Sequence, residues 1–565
     1  MVMLTHIQQD SKLATDVTPR LYKSSPNLEI RMACVEDGLD NTGFRKISSY
    51  IKSIHPNTKI AYIPTANYRT FWGQLFEKTQ GSFGDKDITS VAEFMAKADI
   101  AAFSSMTQSS FTVYKIIDQV REINPDTYII WGGIHAIIQP EDAIKYADAV
   151  CTGEGEFPFK IFLEKFKNGE DYTTAPSFWF KKDNKIVKNR NLPLMTPKEM
   201  DELPPLTYQD GEVVYHYGKG FKKLNSKTFI DYVGLGYGTV WSIGCPLRCT
   251  YCGNTKFIDY DSGYKRIRHS KAATVIDEIQ RAIDKQPHIS DVSFYDDSFL
   301  SLPYAQLEEF AKLYKEKIKI PFSIYGVIPN YVREDKIALL VDAGLHRLRM
   351  GIQSGSENIL EFYKRPTKLK RIKEATQIIN KFRKYIIAPA YDIIIDNPIE
   401  TPEDTKATLD MLYDMPRPFT LNILSLRIIP NTDLEQQMKE RGIDVPSIRK
   451  YYGAGYHRTL ANCMVFTLTW WRMPRVLYNF LRKKVYPIKT KQPLYPVLFY
   501  FCRGGYMVKR ALDHLRYLDF SVLPGKVGYY LWKLRIVHIW NKFFIKKYHL
   551  PKENLNNISA KEQEI

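Results

Sequence analysis

The chain has 565 residues, 44% of them apolar, with a net charge of +18. Two or three domains with sizeable cores are expected at this length, and no run reaches the ~18 apolar residues of a membrane-spanning helix. Seven cysteines, an odd number, and no apolar segment in residues 1–25 argue against a secreted, disulfide-built protein. The charge is unevenly placed. Residues 449–565 hold 22 Lys and Arg against 5 Asp and Glu, about +17 in all, so residues 1–448 are nearly neutral.

Residues 28–170 alternate β-rich runs (29–35, 59–63, 100–103, 128–131 and 149–151) with helical patterns such as 112–123. Strands alternating with helices predict a parallel, doubly wound sheet, whose ligands bind at the carboxyl ends of the strands. Those ends carry Ser104 and Ser105, then Gly132, Gly133 and His135, then Gly153 and Glu154. Glycines there let backbone approach a bulky ligand, and they also serve βα turns. There is no G-x-G-x-x-G and no P-loop.

Residues 171–235 read as a linker with a hairpin over 178–187 and a Pro-rich connector at 201–205. A second βα series is expected over 236–446. It runs from a cysteine-bearing strand near Val240 through 292–295, 322–325, 347–352, 390–395 and 422–426. Six βα units make a partial (β/α)6 barrel, and barrels collect their chemistry at the carboxyl ends of the strands. Here those ends carry Tyr295, Asp296 and Asp297, then Gln353 and Ser354, then Asp396. Asp296 or Asp297 also suits a helix cap, and Ser354 and Ser356 suit a turn.

Within this series residues 244–253 read Gly-Cys-Pro-Leu-Arg-Cys-Thr-Tyr-Cys-Gly. Cys245, Cys249 and Cys252 can wrap one face of an iron–sulfur cube but leave its fourth iron open. A Cys₃His zinc site completed by His269 or His346 is the other metal reading. The spacing, with Tyr251 before the last cysteine, resembles the signature of the radical S-adenosylmethionine (SAM) enzymes. That resemblance implies a [4Fe-4S] cluster held by the three cysteines, with SAM on the open iron. It further implies SAM contacts from Tyr295, Asp296, Asp297, Gln353, Ser354 and the Lys364-Arg365 pair.

Trp-Gly-Gly-Ile-His at 131–135, Pro140-Glu141 and the Gly-Glu-Gly-Glu run at 153–156 resemble the cobalamin-binding domain that precedes many radical SAM barrels. The resemblance implies a corrinoid held by Ser104, Ser105, Gly132, Gly133, His135, Gly153 and Glu154. The chain has no D-x-H-x-x-G, so the corrinoid is expected without a histidine ligand to cobalt, with His135 beside its tail. With both cofactors, the implied reaction is reductive cleavage of SAM to a 5′-deoxyadenosyl radical, then methylation of an unactivated carbon from methylcobalamin. An oxidative cyclase or ring-rearranging enzyme, like the magnesium-protoporphyrin ester cyclase, is the alternative with the same cofactors. A non-catalytic corrinoid-binding sensor is the alternative of another class.

Residues 447–550 lose the βα alternation and mix bulky aromatics with Lys and Arg. A basic, mainly helical domain is expected, read first as a lid over the barrel, next as a membrane-contacting surface, and last as a nucleic-acid binder. The expected partners are a small-molecule or lipid-like substrate and an electron donor such as flavodoxin or ferredoxin, without nucleic acid. The expected location is cytoplasmic, with peripheral contact to the inner face of the membrane.

Overall fold

The computed structural model describes residues 27–65, 75–76, 83–183, 185–206, 208, 210–445, 456–485, 496–516 and 525–539. Trp540 and the Lys546-Lys547 pair of the basic region lie outside these residues. The chain divides into two compact units.

The first unit is built on strands β1 (Ile30–Glu36), β2 (Thr58–Pro64), β3 (Ile100–Ser105), β4 (Tyr128–Gly132) and β5 (Ala149–Cys151), all parallel. Helices α1 (Thr42–Ile54), α2 (Asp85–Met95), α3 (Ser110–Ile123) and α4 (Glu156–Asn168) cross between or follow them. The strands are apolar on both sides because both sides are covered. Ala33, Val35, Phe103 and Trp131 pack on α2 and α3, while Tyr62 meets Phe44 of α1 and Tyr128 meets Phe162 of α4.

The expected linker instead contributes to this sheet. Strands β6 (Phe178–Lys182) and β7 (Lys185–Lys188) form the expected hairpin and extend the sheet antiparallel beyond β5. Strands β8 (Val213–His216) and β9 (Gly220–Lys223) add a second hairpin beside β2. The result is nine strands in the order β7-β6-β5-β4-β3-β1-β2-β8-β9. Both outer strands, β7 and β9, carry lysines, which guard an open edge against further pairing. Strand order reverses between β1 and β3, which makes their carboxyl ends the switch point where such sheets bind ligands.

In the second unit, α5 (Ser226–Val233) precedes six parallel strands. These are β10 (Gly236–Thr239), β13 (Asp291–Phe294), β14 (Phe322–Val327), β15 (Leu345–Gln353), β16 (Ala390–Ile395) and β17 (Thr420–Ser425), paired in chain order. Helices α6 (Ala272–Lys285), α7 (Tyr304–Lys317), α8 (Glu334–Ala343), α9 (Leu369–Lys381) and α10 (Pro402–Asp414) connect them. This is the expected partial barrel, with one shift at its start. The first barrel strand ends at Thr239, before Val240. Ser242 and Ile243 leave the main sheet for a short antiparallel ribbon, β11 (Ser242–Ile243) with β12 (Arg268–His269).

Helices α11 (Leu460–Trp470), α12 (Arg475–Lys483), α13 (Pro496–Arg516) and α14 (Gly525–Lys533) complete the second unit, so the C-terminal region is helical as expected. Residues 461–469 of α11 are all buried, the pattern of a helix covered on every side. Among the described residues no helix is long and apolar enough to cross a membrane.

Candidate active site

The cysteine loop leaves β11 through Gly244, whose φ is +121°. A Cβ there would lie 2.4 Å from the Arg266 carbonyl oxygen and 2.8 Å from that of Tyr264, so only glycine makes this turn. Main-chain bonds then pin the loop. Cys245 N–H donates to Tyr264 O (3.1 Å), Thr250 N–H to Tyr363 O (3.0 Å) and Cys252 N–H to Cys249 O (3.0 Å). Cys249 is buried and the other two thiols are half-buried. Burial pushes Cys245 up to about 11 and Cys252 up to about 12, and the charges of Asp297 and the neighbouring thiols push the same way.

Arg365 reaches this loop from beyond β15. Its Nη1 donates to Cys249 Sγ (3.6 Å) and Tyr251 Oη (3.4 Å), and its Nη2 to Gly351 O (2.5 Å). The guanidinium is buried, and the groups that act on it among the described residues are Tyr251 and Cys249, with no carboxylate. A buried cation without an anion is costly. Thiolates bound to a metal are deprotonated outright, so a cluster held by these cysteines would supply the missing negative charge. Among the described residues no three metal-capable side chains converge on a single ion. Nor do the two histidines of the zinc reading stand free. His269 Nδ1 bonds Ser270 O (2.9 Å), and His346 is buried at the amino end of β15 against Asp291 (2.7 Å).

The strand ends divide into two groups. Asp296 is buried and accepts from Trp241 N (3.2 Å), Ser242 N (2.5 Å) and Ser242 Oγ (2.5 Å). These bonds take the donors that would have continued β10, which explains the early end of that strand. Burial nevertheless pushes the Asp296 carboxyl up to about 7. Asp297 accepts from Tyr264 Oη (3.2 Å) on the far side of the cysteine loop. Both aspartates therefore bond to residues that flank the cysteine loop rather than cap a helix. Tyr295 is exposed, its ring 4.9 Å from that of Tyr325.

At the end of β15, Gln353 adopts φ +75° and is buried, and its Oε1 has no partner. Gly351 makes room for it: a Cβ there would lie 2.7 Å from Gln353 Nε2 and 3.1 Å from Arg365 Nη2. Ser354 points elsewhere. Its Oγ lies 3.2 Å from Thr408 Oγ1 of α10 and accepts from Ser356 N (3.1 Å), which is the turn reading of this residue. Lys364 is engaged by Asp433 (2.8 Å).

One group was not anticipated. Asp396, Asn397 and Glu400 line a small cavity of about 30 Å³ with Ile394, Thr405 and Asn462. Asn462 Nδ2 donates to Asp396 Oδ1 (2.8 Å). Burial raises both carboxyls, that of Glu400 to about 8. Asp396 stood at an expected strand end, but nothing in the sequence brings Asn462, 66 positions later, to it.

In the first unit, Ser104, Ser105, Gly132, Gly133 and Gly153 lie at the carboxyl ends of β3, β4 and β5. Gly133, at φ +83°, packs so closely on β3 that a Cβ would lie 2.6 Å from Ser104 Oγ and 3.0 Å from Ser105 N. Ser105 is buried and accepts from Trp131 Nε1 (3.1 Å). Glu154 is half-buried in the turn before α4. His135 lies on the short helix Ile134–Ile138 and is fully buried, with Nε2 3.3 Å from Tyr114 Oη and 3.5 Å from Asp142. His55 is also buried, bonded to Leu28 O (2.7 Å). Small residues at these strand ends leave room for a flat, bulky ligand. The polar pair at the carboxyl end of β1, Glu36 and Asp37, lies beyond the expected strand, which ends at Val35. Asn41 Nδ2 bonds Glu36 (2.5 Å) and Gln108 Nε2 bonds Asp37 (3.1 Å).

Residues 239–412 match the radical SAM superfamily, and residues 79–163 match the B12 binding domain. An uncharacterized methyltransferase of Pyrococcus horikoshii is 24% identical over 58% of this chain and 66% of its own length. The anaerobic magnesium-protoporphyrin IX monomethyl ester cyclase of Rubrivivax gelatinosus is 23% identical over 63% of this chain and 61% of its own. The matches thus span less than two thirds of either relative. Among solved structures, the radical SAM methyltransferase TsrM of Kitasatospora setae, with cobalamin and a [4Fe-4S] cluster bound, superposes with a TM-score of 0.57. It is 15% identical over 73% of this chain and 75% of its own, which speaks to the fold.

Proposed function

We propose, from the match of residues 239–412 to the radical SAM superfamily and of residues 79–163 to the B12 binding domain, that the chain is a cobalamin-dependent radical SAM C-methyltransferase. The observation that carries the reading is the buried Arg365 guanidinium beside Cys249 with no carboxylate to balance it. That arrangement suits a site completed by an anionic metal–thiolate centre.

Cys245, Cys249 and Cys252 would hold the [4Fe-4S] cluster, and the unpartnered Gln353 Oε1 and exposed Tyr295 are available to SAM beside it. Ser104, Gly132, Gly133, Gly153 and Glu154 would hold the corrinoid. When bound, these groups supply the electron that cleaves SAM to the 5′-deoxyadenosyl radical and the methyl group that reaches the substrate. The protein's own part is positional. Arg365 balances the thiolate charge, Asp296 fixes the approach to the loop, and Asp297 ties the loop's far side through Tyr264. Radical SAM enzymes generally use small-molecule substrates and an electron donor. For this chain a flavodoxin or ferredoxin is the proposed donor, and a small or lipid-like molecule the proposed substrate.

Anaerobic reconstitution should give about four irons per chain and one cobalt. Cys249→Ala should abolish 5′-deoxyadenosine formation, and a variant that still cleaves SAM reductively would refute the assignment. The likeness to the anaerobic cyclase favours oxidative ring formation as the second reading. Mass spectrometry of the product separates the two, because methylation adds one methylene and cyclisation adds none.

A further inference from the structure

α13 carries its apolar side chains on its open side. Val497, Phe501, Val508, Leu512 and Leu515 follow at helical spacing and fall on one line about 27 Å long. All five are exposed, from 50% at Val508 to 83% at Val497. The opposite side, with Phe499, Cys502 and Asp513, is buried. Trp470 of α11 donates from Nε1 to Cys502 O (3.2 Å) and meets the edge of the line at Phe501, with ring centroids 6.3 Å apart. α12 repeats the pattern on a smaller scale. Val476 and Phe480 are exposed, Lys483 and Lys484 follow them, and Lys484 Nζ sits 4.1 Å over the Phe480 ring.

We propose that α13, with α12, docks this protein on an anionic lipid bilayer, the apolar line seated at the boundary between headgroups and acyl chains. Two candidates compete for an unpartnered apolar stripe: a second copy of the chain and a membrane. Charge decides between them. Residues 449–565 carry 22 basic and 5 acidic side chains, so a second copy would press two strongly positive regions together. An anionic surface gains from the same charge, roughly fivefold in partitioning for each basic side chain that reaches it. No described helix is long and apolar enough to cross the bilayer, so the contact lies along the interface. The proposal does not depend on the reaction in the barrel.

The test is co-sedimentation of the full, cluster-loaded chain with vesicles of phosphatidylcholine alone or mixed with phosphatidylglycerol. Binding should be at least about tenfold tighter to the anionic vesicles and should weaken steeply as salt rises to about 0.5 M. Phe501→Ser with Leu512→Ser should lower anionic binding by about tenfold or more. Iron content should be unchanged, since both side chains are exposed. Lys483→Ala with Lys484→Ala should lower it less and flatten the salt dependence. Three results overturn the proposal: no vesicle affinity at low salt, binding indifferent to the stripe substitutions, or a concentration-dependent dimer that the same substitutions dissociate.

Discussion

Arg365 and Gly244 show how single residues set up the cysteine loop. Arg365 is the only cation described against the thiols, bonded to Cys249 Sγ and to the Gly351 carbonyl. Partners of metal ligands typically change metal affinity by about 10–100-fold. Arg365→Met should therefore lower iron retention by about tenfold or more, measured as iron per chain after desalting. Gly244→Ala forces a side chain into φ +121° against two carbonyl oxygens. Strain of about 1–3 kcal/mol should lower the melting transition of the second unit by several degrees. Asp296 makes a pH prediction. Its carboxyl is raised from 3.8 to about 7 in the fold, so the folded state holds a proton that the unfolded state has lost. Its contribution to stability is complete below about pH 4 and is lost as pH rises through 7. Asp296→Asn should flatten that part of a thermal-stability profile.

At the scale of elements, the strand ends were legible and their uses were not. The polar endings Tyr295-Asp296-Asp297 and Gln353-Ser354 stand out because each follows an apolar strand. Whether such a residue faces the barrel mouth or bonds back into the scaffold depends on what packs beside it. Asp296 found the free donors of Trp241 and Ser242, and Ser354 found Thr408 on α10. Gln353 kept a buried oxygen without a partner. The strands within the expected linker were hidden for a related reason: β8 and β9 are four residues each, and such short strands show only when the partner β2 is known. α11 also belongs to this scale. Its Phe466 packs on Phe499 and Tyr506 of α13, so Phe466→Ala should cost about 3–5 kcal/mol, read as a loss of cooperative unfolding in the second unit.

For the whole molecule, the division into two compact units predicts separable loading. Cys249→Ala should lose its iron while still binding about one cobalamin, measured by absorbance after gel filtration, because the residues proposed to hold the corrinoid lie in the other unit. Concerted loss of both cofactors would contradict this. The sequence by itself determined the two βα series, the cysteine triad and the concentration of charge after residue 448, because each is written in local spacing or composition. Only the tertiary structure decided that His135 is buried, that Arg365 stands against Cys249, and that α13 turns an apolar line outward. Those facts depend on which side of an element its neighbours cover, and neighbours distant in the chain leave no local pattern to read.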